Sequence, residues 1–146
     1  MINKRVLHFD DEPFIVSIIS NGLKLYGWDI TLVSEVEDLF RELKTNQYDV
    51  LIMNLMAPIP PLENKHVTFT QKEIDEMDGG MNTGLILTEK IWRMENYKNI
   101  PILFLSARRQ PEEITQFQSD GHKCAYLRKP EQITIIDKKL TELLSK

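Results

Sequence analysis

The 146-residue sequence has little cysteine, no basic excess and no long apolar run, and each shortage excludes a class of protein. The single cysteine, Cys124, rules out an internal disulfide framework and fits a reducing cytoplasm. A net charge of −4 and a pI near 5.4 argue against nucleic acid as a direct partner. No apolar run reaches the roughly 18 residues of a membrane span, and the N-terminal MINKRVLHFDDE lacks a signal-peptide core. We therefore expect a cytoplasmic protein without a membrane partner.

What is present is a set of short apolar runs separated by amphipathic segments. A chain of this length fits one domain, which we expect to span residues 1–146. Near-continuous apolarity over five or so residues predicts strands buried on both faces, as in a parallel sheet. The predicted strands are RVLHF (5–9), DITLV (29–33), DVLIMN (49–54), IPILFLS (100–106) and CAYLRK (124–129).

The segments between these runs carry apolar residues at helical spacing. The predicted helices are 13–26, 35–46, 84–96, 111–119 and 131–145. Strands that alternate with helices imply right-handed crossovers, and so an α/β doubly wound domain with five parallel strands.

One connection is too long for this alternation. Residues 57–83 follow the third strand, begin with three prolines in four residues and end near Gly79 and Gly80. A connection of this length in a compact domain is usually a functional loop or a disordered insertion. Its Val67, Phe69, Ile74 and Met77 indicate that it is at least partly folded, either over the pocket or as a partner surface.

Polar side chains stand at the carboxyl ends of four predicted strands, where open α/β sheets bind ligands. Asp10 and Asp11 follow the first strand, Asn54 ends the third, Ser106 ends the fourth and Lys129 ends the fifth. Paired carboxylates can hold Mg²⁺, while a lysine and a hydroxyl can hold phosphoryl oxygens. The combination at these strand ends predicts a site for a cation and a phosphoryl group.

The set of motifs HFDDEP, VLIMNLMAP, ILFLSAR and YLRKP resembles the receiver domain of two-component response regulators. The resemblance implies a flavodoxin-like three-layer fold with strand order 2-1-3-4-5 and a cis peptide bond before Pro130. It implies a Mg²⁺ site at Asp10, Asp11 and the backbone carbonyl of Met56. It also implies that Ser106 and Lys129 hold phosphate and that Tyr126 is the aromatic switch.

Asn54 departs from this pattern because it stands where receivers carry the phosphoaccepting aspartate. An amide oxygen is a poor nucleophile, so we do not expect the usual aspartyl phosphorylation. The change also removes one negative charge from the cation site, and at 4 Å a pair of unit charges is worth about 4 kcal/mol at an effective dielectric of 20. We therefore expect Mg²⁺ to bind weakly, and no other cofactor.

The long connection is the second departure. The glycine that opens the third helix of receivers corresponds to Gly84, so about 22 residues before it are extra. We expect an insertion at about 57–83 between the third strand and the third helix. Its acidic residues include Asp78, which we interpret as solvated rather than as a replacement for the missing carboxylate.

These observations predict a stand-alone receiver-like signalling module, not an enzyme, that acts through protein contacts. The expected partners are a histidine kinase, a phosphotransfer protein or another signalling protein, and a homodimer is left open. The resemblance to receivers implies a partner face that comprises Ile114, Phe117, Tyr126 and Ile135. Two alternatives stay open: an ordinary phosphoaccepting receiver whose aspartate was mutated to Asn54, and a small flavodoxin-like nucleotide-binding enzyme. The second lacks a glycine-rich phosphate loop.

Overall fold

A computed structural model describes residues 4–145 and shows a parallel five-stranded sheet in the order β2-β1-β3-β4-β5. The outermost predicted domain residues, 1–3 and 146, lie outside the described residues. The strands are β1 (Arg5–Phe9), β2 (Asp29–Val33), β3 (Val50–Met53), β4 (Ile102–Ser106) and β5 (Cys124–Arg128). The predicted fold class and strand order are confirmed.

Helices cover both faces of the sheet. They are α1 (Pro13–Lys24), α2 (Val36–Thr45), α3 (Gln71–Glu76), α4 (Thr83–Trp92), α5 (Glu112–Ser119) and α6 (Ile133–Leu144), and 3₁₀ turns lie at Asp78–Gly80 and Glu95–Tyr97. The short helix α3 lies inside the long connection and was not predicted. The predicted 84–96 helix ends earlier, at Trp92, before a separate 3₁₀ turn.

Alternate residues of each strand enter two apolar clusters, which is why the runs are apolar throughout. Leu7 and Phe9 of β1 pack with α2, α4 and α5 on one face. Val6 and Ile52 pack with α1 and α6 on the other face. The three layers follow directly from this division.

His8, Trp92 and Cys124 are buried in the core. His8 is fully buried in β1, and neither ring nitrogen has a hydrogen-bond partner. Burial chiefly, with the charge of Lys129, lowers the pKa of His8 to about 3, so its ring is neutral at physiological pH. Burial raises the pKa of the Cys124 thiol to about 11, in agreement with an inert cysteine. Trp92 is a packing anchor that donates its indole N–H to the carbonyl of Ile100 at 3.0 Å.

The connection between β3 and α4 is folded against the core. Phe69 and Met77 are buried, and Phe69 meets Phe40 of α2 edge-on at 6.4 Å between ring centroids. Thr70 caps α3 and forms reciprocal hydrogen bonds with Glu73 in a capping box. Both carboxylate oxygens of Glu73 then accept from the ammonium of Lys90 on α4 at 3.1 Å. The segment is therefore attached to both α2 and α4.

Candidate functional site

The predicted strand-end residues converge at the carboxyl edge of the sheet. The backbone N–H of Asn54 donates to the carbonyl of Phe9 at the end of β1, at 3.0 Å. At the ends of β4 and β5, the backbone N–H of Lys129 donates to the carbonyl of Ser106 at 2.8 Å. A cavity of about 390 Å³ opens at this edge and is lined by Asp11, Asn54, Met56, Lys129 and residues of the long connection. The parallel register thus places side chains distant in sequence around one cavity.

The side-chain amide of Asn54 occupies the centre of the acidic group. Its Nδ2 atom lies 2.6 Å from the carbonyl oxygen of Met56, 3.1 Å from Oδ1 of Asp11 and 3.4 Å from Oδ1 of Asp10. Asn54 is only 3% exposed, and its Oδ1 atom is buried without a hydrogen-bond partner. The amide therefore donates to the acid pair rather than acting as a further acceptor.

Lys129 contacts the other side of the same acid pair. Its Nζ lies 2.7 Å from Oδ2 of Asp10, and both side chains are largely buried. Oδ1 of Asp10 also accepts the backbone N–H of Glu12 at 2.9 Å. The two oxygens of Asp10 are thus both satisfied by donors of the protein itself.

Ser106 and Tyr126 are adjacent, but neither points freely into the cavity. Ser106 is fully buried, and its hydroxyl oxygen accepts the backbone N–H of Arg108 at 3.4 Å. The phenol of Tyr126 donates to the carbonyl of Ser106 at 3.5 Å, the long limit of a hydrogen bond. Burial raises the pKa of Tyr126, although the charges of Arg128 and Arg108 oppose this. The peptide bond before Pro130 is cis, as the resemblance implied.

The oxygens around Asn54 do not have the arrangement that a magnesium ion needs. Mg²⁺ takes oxygen ligands at about 2.0–2.1 Å in a near-octahedral arrangement. The oxygens of Asp10, Asp11 and Met56 do face one point, but the atom between them is the Asn54 nitrogen, which is a hydrogen-bond donor. Among the described residues, no three acidic, histidine or cysteine side chains are grouped to hold a metal. The residues as arranged do not fit a resident magnesium ion.

The long connection forms one wall of the cavity. Asp78, Gly79, Gly80 and Met81 line it opposite Asp11 and Lys129. Asp78 has a positive φ of 51°, a conformation uncommon for a residue with a side chain. Asp78, interpreted as solvated in the sequence, is exposed and is one of the residues that line the cavity.

Arg108 joins this wall to the loop after β4. Its guanidinium donates to the carbonyl of Met81 at 2.8 Å and to Oδ1 of Asn82 at 2.6 Å. No sequence pattern indicates this contact, since an arginine shortly before a helix is usually solvated. Helix α3 did have a signal, the Thr70-x-x-Glu73 capping box.

Helix α4 begins against Asn54. The backbone N–H of Gly84 donates to the carbonyl of Leu55 at 2.8 Å, and a Cβ at Gly84 would lie 2.1 Å from the Asn54 carbonyl oxygen. Only glycine allows this approach of two backbones. Gly84, which corresponds to the glycine of the receiver pattern, therefore lies directly beside Asn54.

The residues of the predicted partner face differ in exposure. Ile114 is fully buried in the core, so its assignment to an exposed face is corrected: α5 turns this side chain toward the sheet. Phe117 is half-buried and packs edge-on against Trp92 at 5.1 Å between centroids. Tyr126 is half-buried, and Ile135 is 39% exposed.

The fold, with its sheet order β2-β1-β3-β4-β5, is the fold of solved response-regulator receiver domains. The structure matches the receiver domain of the Francisella response regulator 1452 with a TM-score of 0.68, 25% identity and coverage of 97% of both chains. It matches the chemotaxis protein CheY4 of Vibrio cholerae with a TM-score of 0.73 at 20% identity, covering 98% of this chain and 100% of that one. The structures that it resembles are thus receiver domains and response regulators of signalling systems.

A third match concerns the cation. The receiver domain of a sensor histidine kinase from Pseudomonas aeruginosa, solved with magnesium coordinated in its active-site cleft, superimposes with a TM-score of 0.69. That match has 20% identity and covers 98% of each chain. The magnesium belongs to that protein; in this chain the Asn54 nitrogen lies against the carbonyl oxygen of Met56 and Oδ1 of Asp11.

Sequence comparison gives a narrower match. The transcriptional regulatory protein PhoP of alkaline phosphatase synthesis in Bacillus subtilis is 30% identical over 57 residues, which are 39% of this chain and 24% of that protein. No family model matches the sequence. Among the described residues, no helix has the length and apolar character that crossing a bilayer demands.

Proposed function

We propose that the chain is a receiver-like signalling module of a two-component phosphorelay that does not take phosphate at Asn54 in the usual way. The observation that carries this proposal is the position of the Asn54 amide. It follows β3 beside the acid pair and Lys129, and it donates hydrogen bonds to the acid pair. The module acts through contacts with a histidine kinase, a phosphotransfer protein or another signalling protein in the cytoplasm.

The chemistry of the acceptor supports this function. A carboxylate oxygen can attack the phosphorus of a phosphoryl donor, so that an acyl phosphate forms while the bond to the leaving group breaks. The Asn54 amide is neutral, so its oxygen is a much weaker nucleophile than a carboxylate oxygen, and attack through it would give an unstable phosphorylated imidate. The nitrogen is no better, because its protons are directed at Met56 and Asp11.

The rest of the pocket supports a receiver rather than a nucleotide-binding enzyme. Nucleotide phosphates are usually bound by free backbone N–H groups at a glycine-rich turn. Here the turn after β1 carries Asp11 and Glu12 into the cavity, and both would repel phosphate. The proposal extends to the domain bounds 1–146, to the 57–83 insertion and to a partner face that includes Tyr126 and Ile135.

The test compares the chain with Asn54→Asp by intact mass after treatment with a small acyl phosphate and Mg²⁺. We expect no stable adduct on the chain itself and a gain of one phosphate on Asn54→Asp. Asn99→Asp is the matched control, because it makes the same charge change at an exposed residue before β4. A phosphorylated parent chain would refute the proposal. Absence of an adduct on Asn54→Asp would show that the pocket is not that of a receiver.

A further inference from the structure

Three oxygens surround the Asn54 nitrogen, and none of them can donate a hydrogen bond. They are the carbonyl of Met56 and one carboxylate oxygen each from Asp10 and Asp11. If the amide were turned over, its own oxygen would face three acceptors, and no donor would lie between them. The amide orientation is therefore set by its surroundings, with the nitrogen toward the acids.

The cost of this orientation is visible on the other side of the amide. Oδ1 of Asn54 is buried and has no partner, an arrangement that folded proteins usually avoid. This cost is offset because the carboxylates of Asp10 and Asp11 both gain the Asn54 nitrogen as a hydrogen-bond donor. Lys129 supplies the remaining compensation through its 2.7 Å contact with Asp10.

A divalent cation ligated by these three oxygens would have to occupy the space of the amide N–H group. The amide and the cation therefore exclude each other unless Asn54 rotates and breaks its contacts with Met56 and Asp11. We infer that Asn54 is a built-in substitute for the cation, which competes with a divalent ion for the acid pair rather than ligating it. This inference deepens the proposed function, since it concerns the regulation of the same pocket.

Two roles for Asn54 make opposite predictions for its removal. If Asn54 were a weak neutral ligand, Asn54→Ala would bind Mg²⁺ less well than the parent chain. If it competes with the ion, Asn54→Ala frees the oxygens of Asp10, Asp11 and Met56, and water can enter the vacated space as a further ligand. The affinity for Mg²⁺ is then highest in Asn54→Asp, lower in Asn54→Ala and lowest in the parent chain.

The experiment is a calorimetric titration of the three chains with MgCl₂, without any phosphoryl donor. We expect Asn54→Ala to bind Mg²⁺ about tenfold more tightly than the parent, because the ion no longer displaces a hydrogen bond to a charged group. Asn54→Asp is expected to bind more tightly still. Asn99→Ala is the matched control and should titrate like the parent. Equal or weaker binding by a folded Asn54→Ala chain would overturn the inference.

A second measurement uses the unmodified chain and does not depend on the variant folding. The side-chain amide of Asn54 gives a pair of ¹⁵N–¹H signals in NMR spectra. We expect this pair to stay unchanged at Mg²⁺ concentrations that saturate Asn54→Asp. A shift or loss at those concentrations, together with a parent affinity for Mg²⁺ equal to that of Asn54→Ala, would show that the amide does not hold the acid pair against the ion and would overturn the inference. Neither measurement involves phosphate, so its failure is distinct from failure of Asn54→Asp to accept a phosphoryl group.

Discussion

Replacement of His8 by leucine should make the protein more stable, although His8 lies in the centre of the core. His8 is fully buried between Leu32 of β2 and Ile52 of β3, and both of its ring nitrogens lack partners. Each unsatisfied buried polar atom costs about 1–3 kcal/mol. Leucine has a similar volume and no polar atom, so His8→Leu should raise the free energy of unfolding by about 2 kcal/mol at pH 7.5.

The same substitution should also remove a pH dependence. The pKa of His8 is about 3 in the folded chain, mainly because of burial, against 6.5 in the unfolded chain. Between these values the unfolded chain binds a proton that the folded chain does not, so stability falls as the pH falls below 6.5. At about 1.4 kcal/mol per pH unit, the loss caused by His8 between pH 6.5 and 5.0 is about 2 kcal/mol.

The assay is urea unfolding of the parent chain and His8→Leu at pH 7.5 and pH 5.0. The free energy of unfolding of the parent is subtracted from that of His8→Leu at each pH. The change in this difference between pH 7.5 and pH 5.0 isolates His8, because the other titrating groups are common to both chains. His66→Gln, which changes a partly exposed loop histidine, should behave like the parent. A change in the difference below about 0.5 kcal/mol would refute the reasoning, since it would mean that His8 accepts a proton in the folded state.

Two further predictions concern close packing and thiol chemistry. Gly84→Ala should lower the free energy of unfolding by about 1–3 kcal/mol in urea titrations, because its Cβ would meet the backbone of Asn54 and Leu55 at 2.1 and 2.7 Å. Helix propensity alone predicts the opposite sign, so a stabilised Gly84→Ala chain would contradict this packing. Cys124, whose burial raises its thiol pKa to about 11, should react with a disulfide reagent at pH 8 more than about a hundredfold slower than in urea. Similar rates in both solvents would show that the thiol is accessible in the folded state.

The convergence of the site could be predicted because it follows from strand direction. In a parallel sheet all carboxyl ends lie at one edge, so residues that end the apolar runs must meet there. This placed Asp11, Asn54 and Lys129 at one cavity without any knowledge of the loops. Burial of Cys124 and His8 followed from the same strand assignments.

Other features could not be predicted, because they depend on where loop backbones run. The nitrogen of Asn54 points at the acid pair partly because the carbonyl of Met56 turns back toward it. Helix α3 is different: its six mostly polar residues, none of them buried, show no apolar periodicity, but the Thr70–Glu73 capping box was a signal that could have located it. Ile114 was misassigned because α5 has only eight residues, too few for its pattern to show which side faces the sheet.

The two departures of this chain from the receiver pattern meet at one point, and the geometry explains how both can coexist with an intact pocket. The connection after β3 leaves and returns beside Asn54, because Ala57 donates to the carbonyl of Gly80 at 3.1 Å and accepts from the Thr83 hydroxyl at 2.7 Å. These bonds hold the two ends of the segment together beside β3. Glu73 attaches the middle of the segment to Lys90 of α4. Burial acts to raise the pKa of Glu73, but hydrogen bonds from Thr70 and Lys90 outweigh it and the pKa is lowered. A segment attached in this way can present a new surface to a partner while the Asn54 amide keeps the pocket closed to a cation.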